Sequence, residues 1–389
     1  MADKVDTAPA VSAAAPAVSS AAPAVSPAAP AVDSPAPAAS PADPASPAPL
    51  AAEPASGQDP SILPASHWEE IEDHGLHDGD SGFNETASST ASLSSSILHY
   101  RTIQGRTYAS EIGQSEAWAP NDERHIESMD IHHHACTLML KGKLYLAPIK
   151  DDVEKVLDIG TGTGIWAIDF ADEHPNAQVL GTDVTPIQPR WVPPNVQFQI
   201  DDANLDWTWA DNTFDYVHAR SLLGNISDWR KFYQEAFRVT KPGGWMEHQE
   251  EDATWYSHNG GVTDETPMGQ WGKVFREASS VFGRTFFPIT DDIQRKCMEE
   301  AGFVDITVRD FKAPIGEWPE DPEEKETGAF FKLVLTSDLE GYVNFVWGNV
   351  MGWKPEEIKV YLAHLRRQMK DPKIHTYYPH RIVYGRKPE

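Results

Sequence analysis

The stretch Lys155–Phe170, KVLDIGTGTGIWAIDF, decides the fold class of this 389-residue chain. An apolar run ends at Asp158 and Ile159, a loop follows with Gly160, Gly162 and Gly164, and an amphipathic helical pattern begins at about Ile165. Glycine is needed where backbone turns sharply or lies against a ligand, because any Cβ there would collide. A loop of this kind after a first parallel strand sits at the ligand crevice of an open sheet. Taken alone it serves a dinucleotide, a nucleoside cofactor or tight packing equally well.

Reading outward narrows the choice. The spacing is GxGxG, with Ile165 where the diphosphate-binding pattern GxGxxG has its last glycine, which suits a ligand without a diphosphate. Asp158, just before the loop, can pair with a cationic amino-acid moiety. Asp183 ends the next apolar run, QVLGTD, where an acid can accept both hydroxyls of a ribose. Asp201 and Asp202 end the third run, where a carboxylate can accept from an adenine amino group. A glycine loop, a ribose acid and an adenine acid on three successive strands describe a pocket for S-adenosylmethionine.

Around the loop, short apolar runs alternate with helical patterns: Lys155–Ile159, Ile165–Glu173, Gln178–Asp183, Val196–Ile200, Phe214–His218, Trp229–Val239 and Gly244–Gln249. That alternation is the signature of a doubly wound α/β sheet with parallel strands. Further on, Asp291–Ala301 reads as a helix, Val304–Phe311 as a strand, and Glu323–Val350 and Pro355–Met369 as helices. Tyr377–Tyr384 reads as a last strand, in which Pro379 predicts an edge position or a break. Upstream, Asn121–Leu146 reads as a helix capped by Asn121 or Asp122.

Residues 1–96 are rich in Ala, Pro and Ser. APAV recurs at Ala8, Ala15, Ala22 and Ala29, but a proline in every repeat excludes a coiled coil, so a disordered tail is expected. The acidic stretch HWEEIEDHGLHDGDSGFNE from His67 reads as a solvated linker rather than a docking segment. The formal net charge of −27, with no Lys/Arg-rich stripe, argues against direct nucleic-acid binding. Cys136 and Cys297 form no CxxC pair, and reduced thiols are expected. With no signal-peptide core and no membrane-spanning run, the expected address is the cytoplasm, the nucleus or both.

The chain resembles the fungal class I methyltransferases related to the LaeA-type regulators, which accompany velvet proteins in control of secondary metabolism. The likeness is carried by RTY (Arg106–Tyr108), PNDE (Pro120–Glu123), GKLYLAPI (Gly142–Ile149), LDIGTGTGIWAIDFAD (Leu157–Asp172), GTDVTPIQP (Gly181–Pro189), VPPNVQFQIDDA (Val192–Ala203), FDYVHAR (Phe214–Arg220) and KPGGWMEHQE (Lys241–Glu250). The resemblance implies an α/β fold: a doubly wound, seven-stranded, Rossmann-like class I sheet over 153–389 with a helical cap over 97–152. It implies S-adenosyl-L-methionine as cofactor, with the loop at Gly160, Gly162 and Gly164, a ribose ligand at Asp183 and an adenine-side contact at Asp202. As partners it implies a small-molecule acceptor, or velvet-type proteins if the role is regulatory.

Other residues are weighed individually. His132, His133 and His134 are adjacent, so on a helix they point about 100° apart and cannot all face one metal ion; His132 or His133 can instead line the cofactor mouth. His218 and Arg220 end the fourth strand, nearest the transferable methyl. His218 can take a proton from a hydroxyl nucleophile and Arg220 can hold a substrate carboxylate; the bland alternatives are a buried strand residue and a local ion pair. Glu247 and His248 are weaker candidates. The aromatics in Trp245–Trp271, with Phe286 and Phe287, either shape a flat pocket or fill the core. The absence of a DPPY-like run disfavours methylation of DNA bases. The insert between Phe311 and Tyr377 can form a substrate lid. Acceptor oxygen and acceptor nitrogen stay equally open.

Overall fold

Around the glycine loop the runs Lys155–Ile159, Gln178–Asp183 and Val196–Ile200 become strands with the expected boundaries, while those expected at Phe214–His218 and Gly244–Gln249 extend to Phe214–Arg220 and Thr240–Glu251. In the computed structural model, residues 59, 61–69, 99–110 and 116–389 are described. The elements in chain order are α1 (Ala65–Glu69), β1 (Arg101–Ile103), β2 (Arg106–Tyr108), α2 (Glu123–Met139), β3 (Lys155–Ile159), α3 (Ile165–Glu173), β4 (Gln178–Asp183), β5 (Val196–Ile200), β6 (Phe214–Arg220), α4 (Trp229–Val239), β7 (Thr240–Glu251), β8 (Tyr256–Ser257), α5 (Pro267–Phe282), α6 (Ile293–Ala301), β9 (Val304–Ile315), α7 (Pro322–Ser337), α8 (Leu339–Val343), a π-helical turn (Asn344–Val350), α9 (Pro355–Lys370) and β10 (Thr376–Arg386).

Among the described residues the main sheet runs β5-β4-β3-β6-β7-β10-β8, with β9 also on β10. Strands β3 to β7 pair in parallel, whereas β10 lies antiparallel to both β7 and β9. The short β8 makes this an eight-stranded sheet rather than a seven-stranded one. The order reverses at β3, so the crevice outside the carboxyl ends of β3 and β6 is where such a sheet binds ligands.

Three expectations need correction. The tail reading of residues 1–96 fails at α1, where Trp68 is buried against Tyr361 and His364 of α9, and the His364 ring lies 2.9 Å from the Trp68 carbonyl. One buried indole offsets the entropy of ordering a short segment. The APAV repeat and the rest of the acidic stretch lie outside the described residues. Glu323–Val350 is not one helix, because Asp338 leaves helical geometry (φ −147°, ψ 50°) and its carboxylate accepts from Arg106 at 2.7 Å while lying 2.9 Å from the His125 ring. Finally, Pro379 is internal: it lies where one side of β10 changes partner from β8 to β7, with β9 on the other side. At that change of partner a missing N–H costs little.

The region before β3 covers the carboxyl ends of the parallel strands. In it α2, capped by Asp122, packs against α7. Trp118, Trp255, Trp271, Phe275, Phe286 and Phe331 share one apolar cluster there, while a second cluster lies between β6, β7, α4 and α6.

Candidate active site

β3 delivers the chain to the loop, where φ turns positive at Gly160, Gly162 and Gly164 (65°, 57° and 81°). What forbids a Cβ is partly the protein itself. At Gly162 it would strike Met129 of α2, and at Gly164 the ring of Phe198 on β5. The cap closes directly on the loop, and Thr163 Oγ1 donates to Asp130 Oδ1 at 2.7 Å. Gly160 and Gly162 line the cavity; Gly164 stands behind it.

Asp183 ends β4 with each carboxylate oxygen holding one backbone N–H, from Gly162 and Thr185, both at 2.9 Å. Each oxygen keeps lone-pair capacity for a further donor. Burial pushes its acid constant up to about 6, against the pull of those two N–H groups. Asp158 is more fully occupied, accepting from Thr161 Oγ1 at 2.5 Å and lying 2.7 Å from His218 Nδ1. His218 stacks face to face on Trp166, with centroids 3.6 Å apart, and burial lowers it to about 4 despite Asp158. It is therefore neutral at neutral pH, which fixes Nδ1–H towards the carboxylate and leaves Nε2 buried without a partner among the described residues.

The other expected contacts divide. Asp201 lines the cavity, whereas Asp202 stands behind it and accepts from the backbone and side-chain nitrogens of Asn204 at 3.0 and 3.1 Å. Arg220 lines the cavity with Nη2 3.1 Å from His133 Nδ1, and His133 Nε2 lies 2.9 Å from Asp169. The histidine triplet splays as helical geometry requires: His132 lines the cavity, His133 meets Arg220, and His134 packs on Phe330. Glu247 and His248 do not line the cavity. Glu247 accepts from the Leu146 and Ala147 N–H groups, and His248 lies 2.7 Å from the Tyr233 hydroxyl and 2.9 Å from Glu250.

From the loop the cavity, ≈ 300 Å³, continues without a break into a chamber walled by Trp118, Trp255, Trp271, Phe275, Phe286 and Tyr378. Glu251 and Ser221 lie on its lining too. Sequence reasoning missed Glu251, Met129 and Asp130. Glu251 follows an unbroken polar run that carries no alternation, and the other two sit on a helix whose amphipathic pattern is weak.

A methyltransferase domain family matches residues 131–308. Methyltransferase pytC of Aspergillus terreus is 36% identical over 305 residues, covering 78% of this chain and 93% of that protein. The secondary metabolism regulator LAE1 of Cochliobolus heterostrophus is 32% identical over 277 residues, covering 69% and 89%. This chain belongs to the fungal class I S-adenosylmethionine-dependent methyltransferases of the LaeA-like family. Among solved structures, Haemonchus contortus phosphoethanolamine N-methyltransferase 2 in complex with S-adenosyl-L-methionine is similar at a TM-score of 0.38 and 18% identity, over 68% of this chain and 52% of that one.

The residues of this methyltransferase suit its cofactor. Asp183 is a part-buried acid whose oxygens each hold one backbone N–H and keep lone pairs for vicinal hydroxyls. Ile187 and Ala203 offer apolar edges beside Asp201 for a purine.

Proposed function

We propose that this methyltransferase acts on a small molecule of fungal secondary metabolism with a flat, apolar body and an oxygen or nitrogen acceptor. The observation that carries this reading is the continuity of one cavity from the glycine loop and Asp183 to the aromatic chamber. Donor and acceptor held in one enclosed space gain from orientation and exclusion of water, with no metal or nucleophile required of the protein.

Bound S-adenosylmethionine supplies an already activated methyl group. Asp183 holds the ribose hydroxyls, Asp201 and Asn204 bound the adenine end, and Asp202 holds Asn204 in place. Arg220 receives the carboxylate of the amino-acid moiety, and Asp158 faces its ammonium group. His218, clamped between Asp158 and Trp166, keeps that carboxylate in position. Calorimetry with S-adenosylhomocysteine tests the assignment: Asp183→Ala should weaken binding by about 30-fold or more, as expected for losing two hydrogen bonds to a charged acceptor. Undiminished affinity sinks the ribose role.

A second reading, a regulatory subunit working with velvet-type protein partners, draws on the relatives named as regulators and on Trp191, which is 94% exposed in the loop after β4. On that reading Trp191→Ala abolishes co-purification of a partner without changing cofactor affinity. Equal recovery of partners from both proteins counts against it.

A further inference from the structure

Alternate side chains of β7 point to the face that meets the cap, and three polar ones there are treated differently. Glu247 is taken up by the N–H groups of Leu146 and Ala147 at 2.8 and 2.6 Å. Gln249 donates to the Leu144 carbonyl at 3.3 Å. Glu251, at the carboxyl end of the strand, faces the cavity, and among the described residues its carboxyl has one side-chain hydrogen bond, from Ser221 Oγ at 3.1 Å. Glu247 is consumed by backbone, and Gln249, which also donates to Glu247 at 3.0 Å, does not line the cavity; Glu251 does, and keeps lone pairs for an occupant of the chamber. The walls beside it are aromatic, so the occupant is a flat ring system with a hydrogen-bond donor.

We propose that Glu251 takes the proton from a phenolic or enolic hydroxyl of a flat ring system as that hydroxyl is methylated. The proposal deepens the function stated above and rests on it. The acceptor O–H bond breaks with its electron pair left on oxygen, and the proton goes to a Glu251 carboxylate oxygen. That oxygen pair forms the bond to the methyl carbon, while sulfur keeps the electrons of the broken C–S bond. A cationic donor and a carboxylate thus become a neutral thioether and a neutral carboxyl.

His218 is the rival base: it lines the cavity, and its Nε2 has no partner among the described residues, but that nitrogen is buried. Its ring is sandwiched under Trp166, one nitrogen is held by Asp158, and burial lowers it to about 4. Glu251 is pushed up to about 8, chiefly by burial and then by Glu250, with Asp252 acting the same way and Ser221 and Arg220 opposing. Tyr378 and Tyr342 feel its charge from β10 and α8, as does Cys136 from α2; His380 stands opposite it in the β10 register, and His132 lines the same cavity. A base of that strength is matched to chemistry near neutral pH, and the cationic donor favours its charged form.

The probe is 2-naphthol, whose emission distinguishes naphthol from naphtholate. Wild type and Glu251→Gln, each saturated with S-adenosylhomocysteine, are titrated with it, and methyl transfer to it from labelled S-adenosylmethionine is followed across pH. The expected result is naphtholate-like emission in wild type and naphthol-like emission in Glu251→Gln. The variant should also lose about 100-fold in kcat and the wild-type rise of rate with pH. Ser221→Ala, which keeps the carboxylate, should retain the naphtholate signal and lose about three- to tenfold in kcat. Identical emission from wild type and Glu251→Gln, a kcat for that variant within about threefold of wild type, an unaltered rate in Ser221→Ala, or a cofactor-loaded wild type that ignores 2-naphthol each overturns the proposal. Failure of wild type to bind S-adenosylhomocysteine overturns the cofactor reading beneath it.

Discussion

His218 shows how burial decides a residue's chemistry. Its position at the end of β6 suggests a base, but stacking on Trp166 and the bond to Asp158 turn it into a clamp for a carboxylate. His218→Phe keeps the stack and removes the bond, leaving Asp158 with Thr161 as its remaining side-chain donor. It should cost about 1–3 kcal/mol in urea denaturation and weaken S-adenosylhomocysteine binding several-fold by calorimetry. Unchanged values in both would show that the pair holds nothing. At this scale the sequence points to Asp158 and Asp183 at the ends of apolar runs, but it singles out Asp202, whereas the neighbouring Asp201 lines the cavity. Glu251 was not legible. It lies in EHQEED, where six polar residues in succession hide which of them faces a cavity.

At the scale of elements, the cap is fastened by charge as much as by apolar contact. Arg106 on β2 reaches Asp122, the cap of α2, at 2.6 Å and Asp338, between α7 and α8, at 2.7 Å. Asp338 is fully buried, and His125 and Arg106 hold its acid constant below the ordinary carboxylate value against the cost of burial. Arg106→Ala leaves that acid with His125, Arg124 and the Gly341 N–H as partners, so unfolding free energy should fall by about 1–3 kcal/mol. A loss near zero in a denaturation curve would assign the fastening to packing alone. The N-terminal helix α1 depends on one indole. Trp68→Ala should expose the preceding segment to rapid cleavage in limited proteolysis while the later chain resists. Equal cleavage rates in the two proteins would mean that Trp68 does not hold the segment.

Across the whole molecule, the sheet's carboxyl edge gathers buried acids that are harder to ionise than in water. Asp183, Glu247 and Glu251 rise to about 6, 7 and 8 from ordinary values of 3.8, 4.5 and 4.5, burial being the largest cause for each. A folded-state constant above the unfolded one means that the folded protein holds the proton more tightly. The associated stability is complete below the unfolded values and is lost as pH rises through the folded ones. Buried histidines such as His218, His248 and His380, lowered to about 4, 3 and 3, oppose this up to the ordinary histidine range, so the melting temperature of the ligand-free protein should fall between about pH 7 and about pH 8. A melting temperature that climbs over that window contradicts the assignment.

The sequence by itself determined the parallel half of the sheet and the glycine loop at its carboxyl end. Both are written in short-range order: apolar runs of strand length, glycines where φ is positive, and acids at strand ends. Only the tertiary structure decided which polar residues meet the aromatic chamber, because its walls come from α5 and from segments around Trp118, Phe286 and Tyr378 that are far apart in the chain. Tertiary contact also helped break the α7–α8 helix at Asp338 and seated Pro379 inside the sheet. At Asp338, which caps α8 by accepting the Gly341 N–H, distant partners add to a local stop, namely Arg106 and the His125 ring; at Pro379 three neighbouring strands overrule local propensity.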